Sequence, residues 1–279
     1  MILYLNSEKG QFSFNKKDYL LRAAKRLGID YVKDIKEADG NVEYLLNIQP
    51  CDLKSGSKWT GIWHIDVSLN SSLIHHYNEM DTVFVASSVG ILPYEKQIIL
   101  FQAMDPELHR RIPEVEQTYD FAICGTGGGE GGYLERMRVY KLMMDNFTCN
   151  ECGNGFVPEE YVMKYNSGKV QLVQPCLGTN GLGMCAQRFF ECLGIGAVLC
   201  DWTPDLDLLG LIEGEDYFSY KNDEELISKM DLLLKDEELR NKMFANGRQK
   251  ALNMHTFEHR LVTILNLLHE NFAFVPTLR

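Results

Sequence analysis

The sequence lacks a long apolar run, an excess of positive charge and a signal peptide. No apolar run reaches the ~18–20 residues that a helix needs to span a bilayer, so we expect no membrane span. The 28 basic residues do not balance the 39 acidic ones, and the net charge of −11 disfavours general binding of phosphate backbones. Eight cysteines without a signal peptide indicate free thiols in a reducing cytoplasm.

A second pair of closely spaced cysteines is also lacking. Cys149 and Cys152 have half of a zinc-ribbon spacing, but a structural zinc takes four ligands, so we expect a turn with two free thiols. His255 and His259 have the i, i+4 spacing of metal-binding helices, without an apparent third ligand. The sequence therefore predicts no metal site.

A length of 279 residues favours two domains. Short apolar strands alternate with amphipathic helices, which is typical of parallel sheets covered by helices. The alternation stops at residues 92–117, a proline-containing and charged stretch that predicts an interdomain connection. The prediction is thus an α/β protein with one domain and its linker over 1–117 and a second domain over 118–279, whose last helix can pack back on the first domain.

A glycine-rich segment follows the predicted strand that ends at Cys124. Six glycines lie within residues 125–132, directly before a predicted helix. Glycine permits close backbone approach to a ligand, and a helix start offers free N–H groups to phosphate. The segment lacks the Gly-Lys-Ser/Thr of a P-loop, and no clear acidic residue follows as in dinucleotide-binding folds. It is therefore either a flexible surface loop or a diphosphate-binding loop. In the second case one of Arg136 and Arg138, which follow one turn into the helix, reaches the phosphates while the other is solvated, and Arg136 is the candidate. The candidate contacts in the loop are Gly125, Thr126, Gly127 and Gly128.

A second motif places Arg188 and Glu191 three residues apart on one face of a predicted helix. One interpretation is an exposed ion pair. The other is a partly buried carboxylate, because Glu191 is flanked by aromatic and apolar residues. A buried carboxylate needs a partner, and a ribose diol is a suitable one.

Together these pieces resemble a known family. From Tyr119 to about Leu261 the chain resembles the C-terminal half of GT-B glycosyltransferases, most closely the CgeB-like branch of the group 1 glycosyl transferases. The resemblance implies two Rossmann-like domains whose parallel sheets face a central cleft, with a reduced N-terminal domain. The matching pieces occur in the family order: the strand and loop at 119–125, Gly-Phe-Val-Pro-Glu-Glu-Tyr at 155–161, Arg-Phe-Phe-Glu at 188–191, Pro-Asp-Leu at 204–206, Gly-Glu-Asp-Tyr at 214–217 and His-Thr-Phe-Glu-His-Arg-Leu at 255–261.

The resemblance also implies a donor substrate, a nucleoside-diphosphate sugar and specifically a UDP-sugar, with no other cofactor and no metal. The glycine loop would approach the diphosphate, Arg188 would lie near it, and backbone around Phe156 and Val157 would meet the base. Glu191 would bind the ribose hydroxyls. Relatives often carry another glutamate at the position that Gly183 occupies here, so the sugar and the stereochemical outcome stay open.

The acceptor side offers His64 and Asp66, at the end of a predicted strand, as candidates for the general base that an inverting transfer requires. Alternatively His64 is a core residue and Asp66 caps a helix. A carbohydrate, a protein and DNA are all open as acceptors, and a viral-type DNA-base glycosyltransferase is one alternative function. A catalytically silent nucleotide-sugar-binding or coat-associated protein and a nucleotide-sugar epimerase are the others.

Overall fold

The fold consists of two units, each described here by itself. The structure, a computed structural model, describes residues 3–6, 16–29, 31–32, 44–48, 59–64, 80–88, 97–124, 134–152, 158–174, 176–177 and 183–272. Unit 1 comprises residues 1–102 and 257–279, and unit 2 comprises residues 103–256.

The division between the units differs from the boundary at residue 117 that the sequence suggested, because the chain joins unit 2 directly after residue 102. Met104 forms a parallel β-bridge with Thr256, and its N–H donates to the carbonyl of His255 at 3.0 Å. Further along, the Ile112 N–H donates to Asn166 Oδ1 at 2.8 Å. The segment that reads as a linker is therefore hydrogen-bonded into unit 2.

Unit 1 is built on parallel strands in the order β2-β1-β3-β4-β5-β6. The helices α1 and α7 pack on each other, with the rings of Tyr19 and Phe257 stacked at 5.1 Å and an ion pair between Arg26 and Glu258. The last helix, α7, therefore belongs to this unit. The elements are β1 (Leu3–Asn6), α1 (Lys16–Arg26), β2 (Tyr31–Val32), β3 (Tyr44–Ile48), β4 (Trp59–His64), β5 (Thr82–Val85), β6 (Gln97–Ile99) and α7 (Phe257–Phe272).

Strand β6 lies inside the stretch 92–117 that the sequence analysis treated as a connection. It pairs with β5 in parallel, with Phe84 opposite Ile98. The neighbouring prolines indicated a loop. A strand of three residues carries almost no alternation of its own, so the sequence did not reveal it.

Unit 2 is built on a second parallel sheet, in the order β13-β12-β9-β7-β8, with a separate antiparallel hairpin of β10 and β11. The parallel arrangement follows from the connections, since the consecutive strands β7, β8 and β9 are each separated by a helix. The elements are β7 (Tyr119–Cys124), α2 (Leu134–Asn146), β8 (Cys149–Cys152), α3 (Pro158–Asn166), β9 (Gly168–Val173), β10 (Cys176–Leu177), β11 (Gly183–Met184), α4 (Gln187–Ile195), β12 (Ala197–Asp201), β13 (Phe218–Tyr220), α5 (Asp223–Lys235) and α6 (Glu237–Met254).

The cysteine pair of unit 2 lies on a strand and not in the expected turn. Cys149 and Cys152 are the first and last residues of β8, which pairs in parallel with β7. Among the described residues, no cluster of three or more histidine, cysteine or acidic side chains could hold a metal ion. No helix in the described part of the chain is long and apolar enough to cross a membrane.

Helix α5 provides a test of the unit 2 core. Leu226 is fully buried in the cluster that also contains Phe121 and Leu172, whereas Leu232 on the same helix is 43% exposed. We expect Leu226→Ala to lower the free energy of unfolding by about 2–5 kcal/mol, because it leaves a cavity.

The matched control is Leu232→Ala, for which we expect a change within about 0.5 kcal/mol. Urea unfolding followed by circular dichroism measures both. Equal losses in the two variants would contradict the packing of α5.

Candidate functional site

The centre of the candidate site in unit 2 is the carboxylate of Glu191, which is 1% exposed. The Tyr161 hydroxyl donates to Oε2 at 2.5 Å and Gln187 Nε2 donates to Oε1 at 2.6 Å. Arg188 contacts Oε2 at 3.2 Å, and His109 Nε2 lies 3.6 Å from Oε1. The carboxylate is therefore held on both oxygens by protein side chains, including the helix neighbour that the i, i+3 spacing predicts.

The protonation state of this cluster follows from its surroundings. Burial raises the pKa of the Glu191 carboxyl group, but the His109 ring and the Arg188 guanidinium beside it, with the hydrogen bonds from Tyr161 and Gln187, outweigh burial and lower the pKa below its ordinary value. Burial lowers the pKa of the His109 imidazole by more than Glu191 raises it. The cluster is thus an ionised carboxylate beside a neutral imidazole.

Arg188 is the exposed side of the cluster, because 30% of its side chain is accessible. Its guanidinium lies over the Tyr161 ring, 4.6 Å from the ring centre, which adds a cation–π contact to the ion pair with Glu191. Arg188 therefore presents positive charge at the first turn of α4, where helix N–H groups also favour anions.

Arg136 and Arg138 have different environments. Arg136 is buried and donates to the carbonyl of Gln174 at 3.3 Å, directly after the carboxyl end of β9. Arg138 is about half exposed and pairs with Glu135 and with Asp223, each at 2.7 Å. Arg136 is thus the arginine beside the carboxyl edge of the sheet, where ligands of parallel α/β sheets bind.

A small pocket opens between the first turn of α4 and the carboxyl ends of β9 and β12. Its wall is mainly apolar and includes Val173, Cys185 and Phe189. Asp201, the last residue of β12, is the acidic side chain among its described lining residues. Burial raises the pKa of Asp201 to about 6, and Glu135 also raises it, while the Trp202 N–H and Arg138 lower it.

Several predicted site residues fall outside the described residues. These are Gly125, Thr126, Gly127 and Gly128 of the glycine loop, Phe156 and Val157 after β8, and Asp66. His64 ends strand β4, and nothing is described of its side chain. The structure thus brings Arg188 and Glu191 together and places Arg136 at the carboxyl end of β9 in the same unit.

Comparison with known proteins identifies the family. The profile of the glycosyl transferase-like family matches residues 102–266, more than half of the chain. The chain belongs to this family. It is a glycosyltransferase, and the matched region contains the whole of unit 2 and the Glu191 cluster. Its assignment to the CgeB-like branch stays a prediction.

Solved structures show that the glycosyltransferase has the GT-B fold. Sucrose-phosphate synthase from Thermosynechococcus elongatus superposes with a TM-score of 0.65 at 9% identity, over 98% of this chain and 99% of that chain. HepE from Anabaena, in complex with UDP and glucose, gives a TM-score of 0.64 at 9% identity, over 96% and 99%. A DNA-modifying β-glucosyltransferase gives 0.62 at 14% identity, over 94% and 98%. No curated protein sequence matches the chain significantly.

Sequence reasoning missed three of the side chains around Glu191. Gln187 carried a usable signal, since it lies four residues before Glu191 on the same helix face. Tyr161 was part of a recognised motif, but nothing local connects it to a carboxylate 30 residues away. His109 carried no signal, because it lies in the stretch that was assigned to the linker.

The raised pKa of Asp201 leads to a prediction about stability and pH. Because its folded-state pKa of about 6 lies above the ordinary value of 3.8, the ionised carboxylate disfavours the folded state above pH 6 and has no such effect below about pH 4. We expect Asp201→Asn to raise the melting temperature at pH 8, with a difference that shrinks as the pH falls through 6 toward 4.

Thermal unfolding of wild type and variant at matched pH values measures this difference. The control is Asp207→Asn, an exposed position nearby, which should leave the melting temperature nearly unchanged. A stabilisation by Asp201→Asn that does not vary with pH would contradict the prediction.

Proposed function

We propose that this glycosyltransferase moves a sugar from a nucleoside-diphosphate sugar, specifically a UDP-sugar, to a hydroxyl group of an acceptor, without a bound metal ion. In the transfer, the bond between the sugar C1 and the diphosphate oxygen breaks while the acceptor oxygen bonds to C1. The acceptor proton passes to a base, and the diphosphate leaves with the bonding electron pair. Asp66 and His64 stay the candidates for that base.

The observation that carries the proposal is that Arg136, the start of α4 and the carboxyl end of β7, after which the glycine-rich segment begins, lie at one edge of the unit 2 sheet. Strands β7 and β9 are adjacent and parallel, so their carboxyl ends lie at the same edge. The glycine-rich segment leaves β7 at Cys124, Arg136 contacts the carbonyl that follows β9, and α4 follows β9 through the hairpin. In parallel α/β sheets this edge is where ligands bind.

The charges at this edge suit a diphosphate leaving group. Arg136, Arg188 and the N-terminus of α4 together supply positive charge at this edge. Preorganised donors of this kind stabilise the charge that develops as the sugar–diphosphate bond breaks. These groups therefore stabilise the developing negative charge that a bound metal ion neutralises in other phosphate chemistry.

A ribose contact at Glu191 requires the loss of one hydrogen bond that the carboxylate accepts from the protein. A carboxylate offers about four lone-pair sites, and Tyr161, Gln187 and Arg188 occupy three of them. Tyr161 is buried, whereas Gln187 and Arg188 are partly exposed on α4. The fourth site faces the buried His109, so a ribose diol would approach from the side of Gln187 and Arg188 and replace one of their hydrogen bonds.

The solved structures support UDP as the nucleotide, since HepE holds UDP and glucose and the DNA-modifying β-glucosyltransferase was solved with UDP-glucose. They do not favour DNA as the acceptor, because a sucrose-phosphate synthase and a DNA-modifying enzyme are both among them and their acceptors differ. The net charge of −11 further disfavours a DNA substrate.

The ribose contact leads to a prediction for Glu191→Gln, which removes the charge while keeping the size of the side chain. We expect UDP to bind more weakly by about 1–3 kcal/mol, the contribution of hydrogen bonds to a charged group. Calorimetric titration with UDP measures the change.

The control is Glu224→Gln, an exposed glutamate in the first turn of α5, which should bind UDP like wild type. Wild-type affinity in a folded Glu191→Gln variant would rule out the ribose contact.

The absence of a metal requirement is tested by following UDP release from a panel of UDP-sugars in the presence and absence of EDTA. We expect slow release by hydrolysis that EDTA does not change. Activity that EDTA abolishes and Mg²⁺ or Mn²⁺ restores would contradict metal independence. Binding of UDP without any release would favour a silent nucleotide-sugar-binding protein.

A further inference from the structure

We propose that His109 is a positioning residue for the donor site, one that holds the Glu191 carboxylate in place through a neutral imidazole whose proton is on Nε2. The proposal rests on the donor-binding role of Glu191 proposed above, and it adds a residue from outside the motifs of the sequence. His109 is fully buried, and its Nε2 lies 3.6 Å from Glu191 Oε1.

The tautomer of His109 follows from a backbone hydrogen bond. The N–H of Asp105 donates to His109 Nδ1 at 2.9 Å, so Nδ1 acts as an acceptor and carries no proton. The proton of the neutral ring must therefore be on Nε2, the nitrogen that faces Glu191. At 3.6 Å the N–H is slightly beyond hydrogen-bond length, and its dipole favours the ionised carboxylate.

The turn that carries His109 is itself fixed. The His109 N–H donates to the Asp105 carbonyl at 2.8 Å. The Asp105 carboxylate accepts from the Glu107 and Leu108 N–H groups at 3.0 and 3.3 Å. These bonds close one compact turn and fix the orientation of the His109 ring.

The same turn is attached to α4 just after Glu191. Arg248 of α6 donates to the carbonyl of Gly194 at 2.6 Å and to the carbonyl of His109 at 3.2 Å, and so bridges the two backbones. They approach so closely that a Cβ at Gly194 would overlap the His109 carbonyl oxygen. This attachment sets the distance between the imidazole and the carboxylate.

Two substitutions separate the two roles of the ring. In His109→Gln, the amide nitrogen can reach the place of Nε2 and donate to Glu191, but no acceptor remains for the Asp105 N–H. In His109→Asn, the amide oxygen can reach the place of Nδ1 and accept from Asp105, but no donor reaches Glu191. We expect His109→Gln to bind UDP like wild type and His109→Asn to bind it about tenfold more weakly.

A role limited to stabilising the turn predicts the reverse order, with better binding by His109→Asn. That reverse order, or equal UDP affinity in both variants, would overturn the proposal. Melting temperatures of both variants are measured in parallel. The order of the UDP affinities must differ from the order of the melting temperatures, so that lost stability does not explain the lost affinity.

A second measurement needs no ligand. Nitrogen-15 chemical shifts of the His109 ring should show an unprotonated Nδ1 and a protonated Nε2, and the Nε2 shift should change in Glu191→Gln. An unprotonated Nε2, or a shift that Glu191→Gln leaves unchanged, would overturn the proposal. If wild-type protein does not bind UDP, the proposed donor is wrong, and the ring shifts alone decide whether His109 is coupled to Glu191.

Discussion

The desolvated carboxylate of Glu191 constrains the structure of unit 2 because it is buried and ionised. An ionised carboxylate in the interior is tolerated only where hydrogen bonds and opposite charge compensate for the lost water. Tyr161 from α3, Gln187 and Arg188 from α4 and His109 from the segment before β7 provide that compensation. The positions of three separate segments of the chain therefore depend on one side chain.

The parallel sheet explains why this carboxylate is suited to a binding site. Helix α4 follows strand β9, so its first turn lies at the carboxyl edge of the sheet, together with Arg136 and the pocket beside Asp201. Positive charge is exposed on Arg188, while the negative charge of Glu191 is buried beneath it. At this edge the exposed positive charge of Arg188 therefore lies near the acidic Asp201 of the pocket, in a chain with a net charge of −11.

The expected and observed folds differ where backbone pairing is not visible in the local sequence. Strand β6 is three residues long and β8 four, so neither contains enough alternation to be distinguished from a turn. The compact units divide after residue 102, whereas prolines and charges suggested a linker over 92–117. Backbone hydrogen bonds from Met104 onward instead attach most of that segment to unit 2. Local composition does not reveal such pairings.

The sequence by itself determined the features that depend on neighbouring residues. The α/β alternation follows from the periodicity within each successive element. The helix that carries Arg188 and Glu191, and the contact between these two side chains, follow from the periodicity of that one helix. Only the tertiary structure decided which distant groups surround the carboxylate. Tyr161 and His109 reach Glu191 because the helix α3 and the segment before β7 both pack against α4, and that proximity has no counterpart in sequence spacing.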